Sequence, residues 1–232
     1  PALGRVASHA HLHALLDAHG CDRVFVKPRY GSAASGVVAY RRHRDGRELA
    51  WTTAEVVDDG AQTRLFNRLS PQRYADRARI AALIDALAAQ DCYAEAWIPK
   101  PRAPGFAGCC FDLRAIAFAG APRQRMARIA AAPMTNLHLG NRRADPASLL
   151  DAAAWAKIDA TVRAAAAVFP RSTMIGFDVI PGRDRCVVLE ANAFGDDVQH
   201  ALCDGAEPAD DQADWVLAGL AHASAREARA HG

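Results

Sequence analysis

Two carboxylates and one amide occupy a pattern that could bind a metal ion. Asp178 and Glu190 are symmetric about position 184, inside the predicted turn 181–184. If the turn centres there, the two carboxylates face each other across a hairpin, with Cβ atoms about 5 Å apart. Side chains on a strand alternate between faces, so Asn192 points the same way as Glu190.

Such a hairpin needs a partner for its charges. Two opposed carboxylates repel each other, and a divalent cation removes the conflict. The oxygens of Asp178, Glu190 and Asn192 are hard ligands of the kind that Mg²⁺ prefers. The alternative is a solvent-exposed hairpin with scattered acids, which the strongly apolar flanking residues disfavour.

A lysine precedes a loop of small residues. Lys27 ends the predicted strand 24–26, and the loop 31–36 reads Gly-Ser-Ala-Ala-Ser-Gly. Small residues let backbone N–H groups approach an anion closely, and a lysine adds a point charge for phosphate. The loop is not a Walker A loop, because no Gly-Lys-Ser/Thr follows its glycines. The alternative is an ordinary flexible loop with an exposed Lys27.

Two further segments are compatible with binding. Alternation puts Tyr93, Glu95 and Trp97 on one strand face, as in a purine pocket, although a half-buried strand with a rim glutamate is more typical. A polar block follows, rich in arginines suited to phosphate and carboxylate, although a solvated basic loop gives the same pattern. Its members are Asp112, Arg114, Arg123, Arg125, Arg128 and the run 135–143.

Three histidines near the start do not form a predicted site. His9, His11 and His13 fall in the helix predicted for residues 9–19. We expect that they do not share one helix face and that they are surface residues rather than metal ligands.

Hairpins dominate the elements that must position these residues. Turn and periodicity signals predict the hairpin 37–42/49–53, an amphipathic helix over 74–90 and a strand over 92–98. They also predict strands over 113–119, 125–130, 174–180 and 186–189, a long helix from Asp145-Pro146 to residue 170, and a last helix over 209–229. The fold class is therefore α+β with largely antiparallel sheets.

Composition excludes several classes of protein. The 232 residues are 51% hydrophobic and 23% charged, which rules out a disordered chain. A net charge of +2 predicts no nucleic-acid partner, and no apolar run is long enough for a membrane span. Six cysteines without C-x-x-C spacing indicate buried thiols in a reducing, cytoplasmic setting. Lysine occurs only at Lys27, Lys100 and Lys157.

In this order, the motifs resemble the ATP-grasp superfamily over residues 24–196. The Lys27 segment resembles its V-K-P-x-x-G-S-x-x-x-G-V loop, 94–98 resembles its adenine strand, and 190–192 matches its E-x-N motif. The segments 111–114 and 136–140 are similar to ribosomal-protein glutamate ligases and glutathione synthetases. The runs 135–143 and 190–196 are nearest a poorly characterised bacterial branch.

The resemblance implies a fold, a reaction and roles for residues. The fold is two α+β lobes that enclose a nucleotide cleft, the smaller over 1–100 and the larger over 101–232. The reaction joins a small-molecule or peptide carboxylate to an amine or thiol through an acyl phosphate, with ATP and two Mg²⁺ ions. The implied residues are Lys27, Gly31, Ser32, Ser35, Gly36, Glu95, Trp97 and Ile98 for the nucleotide; Asp178, Glu190 and Asn192 for metal; Arg114, Arg128 and Arg142 for catalysis; and Asn136, His138 and Asn141 for substrate.

Two departures from the family pattern leave other functions open. An earlier lysine and a preceding N-terminal domain have no counterpart here, so we expect the chain to be the ATP-grasp portion of a longer protein, with that domain as a partner. Met134 stands where the similar ligases carry an arginine. The alternatives are a non-catalytic, regulatory nucleotide-binding module and a small-molecule phosphotransferase.

Overall fold

Two units make up the chain in the computed structural model, which describes residues 1–31, 34–58, 63–193 and 198–230. The first unit comprises Pro1–Pro99 and Ala130–Asn141, and the second comprises Lys100–Ile129 and Arg142–Gly232. The segment Ala130–Asn141 therefore groups with the first unit rather than with its neighbours in sequence. The nucleotide cleft expected between two lobes stays a prediction.

The first unit is a six-stranded sheet with two helices. Its elements are β1 (Ala2–Val6), α1 (His9–Ala18), β2 (Arg23–Pro28), β3 (Val38–Arg42), β4 (Glu48–Asp58), β5 (Thr63–Tyr74), α2 (Arg77–Ala88) and β6 (Cys92–Ala96). The strand order is β1-β6-β2-β3-β4-β5, and every neighbouring pair is antiparallel.

One face of this sheet forms the core with both helices. The amphipathic prediction for α2 is confirmed, because its apolar positions at helical spacing are all buried. Asp76 begins this helix by accepting a hydrogen bond from the Arg79 backbone N–H at 2.8 Å. The core includes Leu12, Leu16, Val24, Val26, Tyr40, Ile80, Leu83, Ile84, Leu87 and Ala94.

The second unit is a five-stranded sheet with one helix in its core. Its elements are β7 (Cys110–Phe118), β8 (Ala121–Ala130), β9 (Arg142–Ala144), α3 (Ala152–Ala167), β10 (Met174–Ile180), β11 (Val187–Asn192) and α4 (Pro208–Ala230). The strand order is β11-β10-β7-β8-β9. The pairs β10–β11, β10–β7 and β8–β9 are antiparallel, so the α+β prediction with largely antiparallel sheets is confirmed.

Helix α3 covers one face of the second sheet. Ile158, Val162 and Ala166 recur every fourth residue and pack against strand residues that include Phe177 and Val179. The prediction that this helix begins at Asp145-Pro146 is wrong. Asp145 caps only the short 3₁₀ turn Pro146–Ser148, and α3 begins at a second cap, where Asp151 accepts from the Ala154 backbone N–H.

Gly36 is required by packing as well as by its backbone conformation. Its φ is +71°, and a Cβ there would lie 2.8 Å from Pro28 Cγ and 3.3 Å from Leu87 Cδ2. We expect Gly36→Ala to lower the free energy of unfolding by about 1–3 kcal/mol, measured by urea denaturation. The matched variant Gly219→Ala, in exposed helix with nothing within 4 Å, should instead stabilise the protein slightly. An unchanged stability of Gly36→Ala would refute this reading of the loop.

All six cysteines are free thiols, but only Cys92 is fully buried and the other five are half-buried, so the prediction of buried thiols is correct for Cys92 alone. Burial raises the pKa of the Cys92 thiol to about 11, which keeps it protonated and unreactive. Within the part of the chain that the structure describes, no helix is both long enough and apolar enough to cross a bilayer.

Candidate functional site

Lys27 and Glu95 form an ion pair on the sheet face opposite the first unit's core. Their neighbours Val26 and Ala94 are buried on the core side, so strand alternation directs Lys27 and Glu95 to the other side. Lys27 Nζ lies 2.6 Å from Glu95 Oε2, and the side chains are 22% and 24% exposed. The structure therefore brings together the predicted phosphate lysine and the predicted adenine-side glutamate.

An aromatic surface lies on the same face. The Trp97 ring centroid is 5.1 Å from that of Phe25 and 6.3 Å from that of Trp51, which it meets edge-on. Trp97 and Ile98 directly follow β6 and are half-buried. Aromatic rings beside a lysine offer a nucleotide both a stacking surface and a charge for its phosphates.

The small-residue loop is anchored to the sheet. The Ala34 carbonyl oxygen accepts from the Val37 backbone N–H at 3.2 Å and from Thr53 Oγ1 at 3.3 Å. Gly31, Ser35 and Gly36 lie in or beside this turn, whereas Ser32 lies outside the described residues. Because a Cβ at position 36 would lie too close to Pro28, the glycine there has a structural cause independent of phosphate binding.

Charged residues form a row across three strands of the second unit. Arg114 on β7 pairs in register with Asp178 on β10, and Asp178 pairs in register with Glu190 on β11. The prediction that the two carboxylate residues oppose each other across the hairpin is therefore confirmed by the strand register. Closer to the turn a β-bulge shifts the register by one residue, because Val179 pairs with Val188.

Arginines neutralise the buried carboxylate of this row. Arg114 Nε lies 2.8 Å from Asp178 Oδ1, and an Arg128 nitrogen lies 2.9 Å from Asp178 Oδ2. The sequence analysis used a divalent metal ion to relieve the Asp178–Glu190 repulsion. In the structure, two guanidinium groups already supply positive charge to Asp178, and Glu190 is exposed, so a metal ion is not required for that purpose.

A second carboxylate holds Arg128 in place. Arg128 Nε donates to Asp112 Oδ1 at 2.8 Å, and Lys100 Nζ lies 3.1 Å from Asp112 Oδ2. Burial alone lowers the pKa of Arg128, which is only 6% exposed, but Asp112 and Asp178 outweigh that effect and raise it. Arg128 thus stays a cation fixed between two carboxylates.

The predicted metal ligands share one oxygen-rich edge. Glu190 and Asn192 lie two residues apart on β11, an outer strand of the sheet. Asn192 Nδ2 donates to the Gly176 carbonyl oxygen at 3.2 Å, so its amide oxygen is the atom suited to a cation. This all-oxygen donor set fits Mg²⁺, which would share the Asp178 carboxylate with the arginines.

The remaining arginines lie elsewhere in the second unit. Arg142 is exposed and pairs with Ile129, whose side chain belongs to the core, so register places Arg142 on the sheet face opposite Arg128. Arg123 binds Asp204 and Asp211, and Arg125 binds Asp159 and lies over the Trp155 ring. Arg123 and Arg125 thus have structural partners in this unit.

The predicted substrate segment is a folded loop of the first unit. Asn141 Nδ2 donates to the carbonyl oxygens of Met134 and Asn136, at 2.8 and 2.9 Å, and so closes the loop on itself. His138 lies in the 3₁₀ helix Leu137–Leu139 between them. Met134 is buried, so the position where similar ligases carry an arginine is apolar here.

Comparisons with known proteins return structural matches of low similarity, two of which are D-alanine–D-alanine ligase structures. No family model and no curated protein matches the chain. D-alanine–D-alanine ligase from Bacillus anthracis, complexed with ATP, is 12% identical over 70% of this chain and 52% of its own, with a TM-score of 0.41. Another structure of that protein is 9% identical over 81% and 56%, with a TM-score of 0.42. Both matched structures are therefore of a ligase.

The chain spans about half the length of these solved structures. Similarity this low does not indicate a function. The function is therefore inferred from the residues described above.

The sequence analysis missed one polar cluster. His9 and His13 lie on the same face of α1, with ring centroids 4.4 Å apart, so the expectation that they are unrelated surface residues is wrong. His9 is buried and contacts the buried Glu48, and His13 contacts Tyr40 and Glu48. Their separation of four residues, one helical turn, was the signal in the sequence.

Proposed function

We propose that this chain is the ATP- and magnesium-dependent portion of an ATP-grasp ligase that joins a carboxylate to an amine or a thiol. The observation that carries the proposal is the row Arg114–Asp178–Glu190, in register across three strands, with Asn192 two residues further on. This row combines the E-x-N motif with fixed cations, which supports phosphate chemistry.

The nucleotide would be held by residues of the first unit. Lys27 would contact the phosphates, together with backbone N–H groups of the loop at Gly31, Ser32, Ser35 and Gly36. Glu95, Trp97 and Ile98 would line the adenine. The Lys27–Glu95 pair and the adjoining aromatic rings support this assignment.

Magnesium, in two ions, would be held by Asp178, Glu190 and Asn192, and it would neutralise phosphate charge. Arg128 and Arg114 would stabilise charge that develops on the transferred phosphoryl group. Arg128 needs little reorganisation for that role because Asp112 and Asp178 already fix it. We assign Arg142 no such role, given its place on the opposite sheet face.

The reaction would take two steps. An oxygen of the substrate carboxylate attacks the γ-phosphorus, the bond to the bridging oxygen of ADP breaks, and an acyl phosphate forms. The amine nitrogen or thiol sulfur then attacks the acyl carbon, loses its proton to solvent, and inorganic phosphate leaves. The substrate would be bound by Asn136, His138 and Asn141. A further domain of the protein would complete the substrate site.

One observation favours a second function. The buried, apolar Met134 leaves no arginine at the position that similar ligases use, which favours a regulatory module that binds nucleotide without turnover. A small-molecule phosphotransferase would use the same nucleotide and metal residues.

Trapping of the acyl phosphate tests the ligase assignment. The protein is incubated with Mg²⁺-ATP, a pool of carboxylates and hydroxylamine, and the expected products are ADP and a hydroxamate in equal amounts. Binding of ATP without ADP release would support the regulatory module. ADP formed with a stable phosphorylated product and no hydroxamate would support the phosphotransferase.

Lys27→Ala is expected to weaken ATP binding about tenfold to a hundredfold, the effect of losing a charge-assisted hydrogen bond of about 1.5–3 kcal/mol. Equilibrium dialysis with labelled ATP measures the change. Lys157→Ala is the matched control, because Lys157 Nζ donates to the Arg183 carbonyl oxygen in the second unit. If the two variants bind ATP with equal affinity, Lys27 is not part of the nucleotide site.

A further inference from the structure

A compact polar cluster lies between α1 and the sheet of the first unit. His9 Nε2 lies 2.7 Å from Glu48 Oε2, and His13 Nε2 lies 3.3 Å from Glu48 Oε1. The Tyr40 hydroxyl lies 2.9 Å from His13 Nε2. A potential ligand atom from each of His9, His13 and Glu48 lies within 4.8 Å of the other two.

The carboxylate of this cluster is deeply buried. The Glu48 side chain is 1% exposed, and a buried carboxylate is costly unless positive charge or several donors surround it. Each of its two oxygens faces an imidazole nitrogen from the same helix face. Arg77 Nε lies 3.2 Å from Glu48 Oε1, but the Arg77 side chain is 72% exposed, so water screens its charge.

We propose that His9, His13 and Glu48 bind a divalent transition-metal ion of the zinc class. Two imidazole nitrogens and one carboxylate oxygen form a ligand set that Zn²⁺ accepts, with bonds of about 2.0–2.2 Å. Tetrahedral ligands at that distance are about 3.4 Å apart, and the two histidine–glutamate separations of 2.7 and 3.3 Å are close to that spacing.

The site is separate from the proposed ligase chemistry. Lys27 and Glu95 lie on the opposite face of the same sheet, whereas this cluster lies on the core face beside buried Leu12 and Leu16. A metal ion there would link α1 to β4 through its ligands. It would stabilise the folded first unit, because an ion that binds only the folded state raises the unfolding midpoint.

The test is metal titration of the full chain after treatment with a chelator. Zn²⁺ is added in a calorimeter, and Co²⁺ is added in a parallel experiment because its visible absorption reports a tetrahedral site. We expect one equivalent to bind wild type and to raise the thermal midpoint. His13→Gln and Glu48→Gln should each lose that equivalent and that shift.

The matched control is His11→Gln, which changes an exposed histidine on the same helix and should bind as wild type does. If Glu48→Gln fails to fold, His13→Gln decides, with circular dichroism as the check on its fold. The proposal is overturned if wild type binds no equivalent, leaving a hydrogen-bonded His–Glu–Tyr network. It is equally overturned if His13→Gln still binds, or if intense thiolate-to-cobalt absorption places the ion on cysteines.

Discussion

Arg128→Met is expected to destabilise the second unit by about 3–5 kcal/mol, the cost of breaking a buried ion-pair network by removing the cation that Asp112 and Asp178 share. Arg128 is only 6% exposed and contacts both Asp112 and Asp178 within 2.9 Å. Methionine keeps an unbranched apolar stem but lacks the guanidinium group, so the change removes both the charge and its hydrogen bonds. Urea denaturation followed by circular dichroism measures the free energy of unfolding.

The control for this variant is Arg142→Met, the same substitution at an exposed position on the neighbouring strand. We expect its stability to lie within about 0.5 kcal/mol of wild type, as is usual for surface changes. Equal stabilities of Arg128→Met and wild type would mean that the arginine–carboxylate network does not hold this sheet together.

Glu190→Ala is expected to lower magnesium-dependent ADP release at least about a hundredfold, because the proposed site loses an ionised ligand. Glu190 is exposed at the edge of its sheet, so the fold should tolerate the change. ADP release is measured by a coupled assay across a range of Mg²⁺ concentrations.

Asp184→Ala provides the matched control, since Asp184 is an exposed acid in the turn of the same hairpin. Its activity should equal that of wild type at every Mg²⁺ concentration. If Glu190→Ala keeps full activity, Glu190 is not a metal ligand. The assignment of Asp178 and Asn192 as metal ligands would then lose the support of the E-x-N motif.

Local symmetry made the acidic hairpin predictable from the sequence. A short turn between two apolar strands fixes which residues oppose each other, and Asp178 faces Glu190 as that symmetry requires. The arginine partners were not predictable, because they lie on β7 and β8, more than forty residues earlier in the chain. Pairings of such sequence separation leave no local pattern.

The strands that sequence patterns missed, β1, β5 and β9, all lie at sheet edges. Strand β5 is mostly exposed and contains Pro71, so it shows neither clear alternation nor the composition of a central strand. It lies at the edge of its sheet, where proline is tolerated. Strand β1 lies at the other edge and is irregular at Gly4, whose φ is +137°.

The central claim is that magnesium and ATP bind together at a site that requires Glu190. It is tested most directly by calorimetric titration of Mg²⁺ with a non-hydrolysable ATP analogue, on wild type and on Glu190→Ala. The account predicts binding of the analogue that depends on Mg²⁺ in wild type and that the substitution removes. Absence of binding by wild type, or equal magnesium-dependent binding by both proteins, would contradict it.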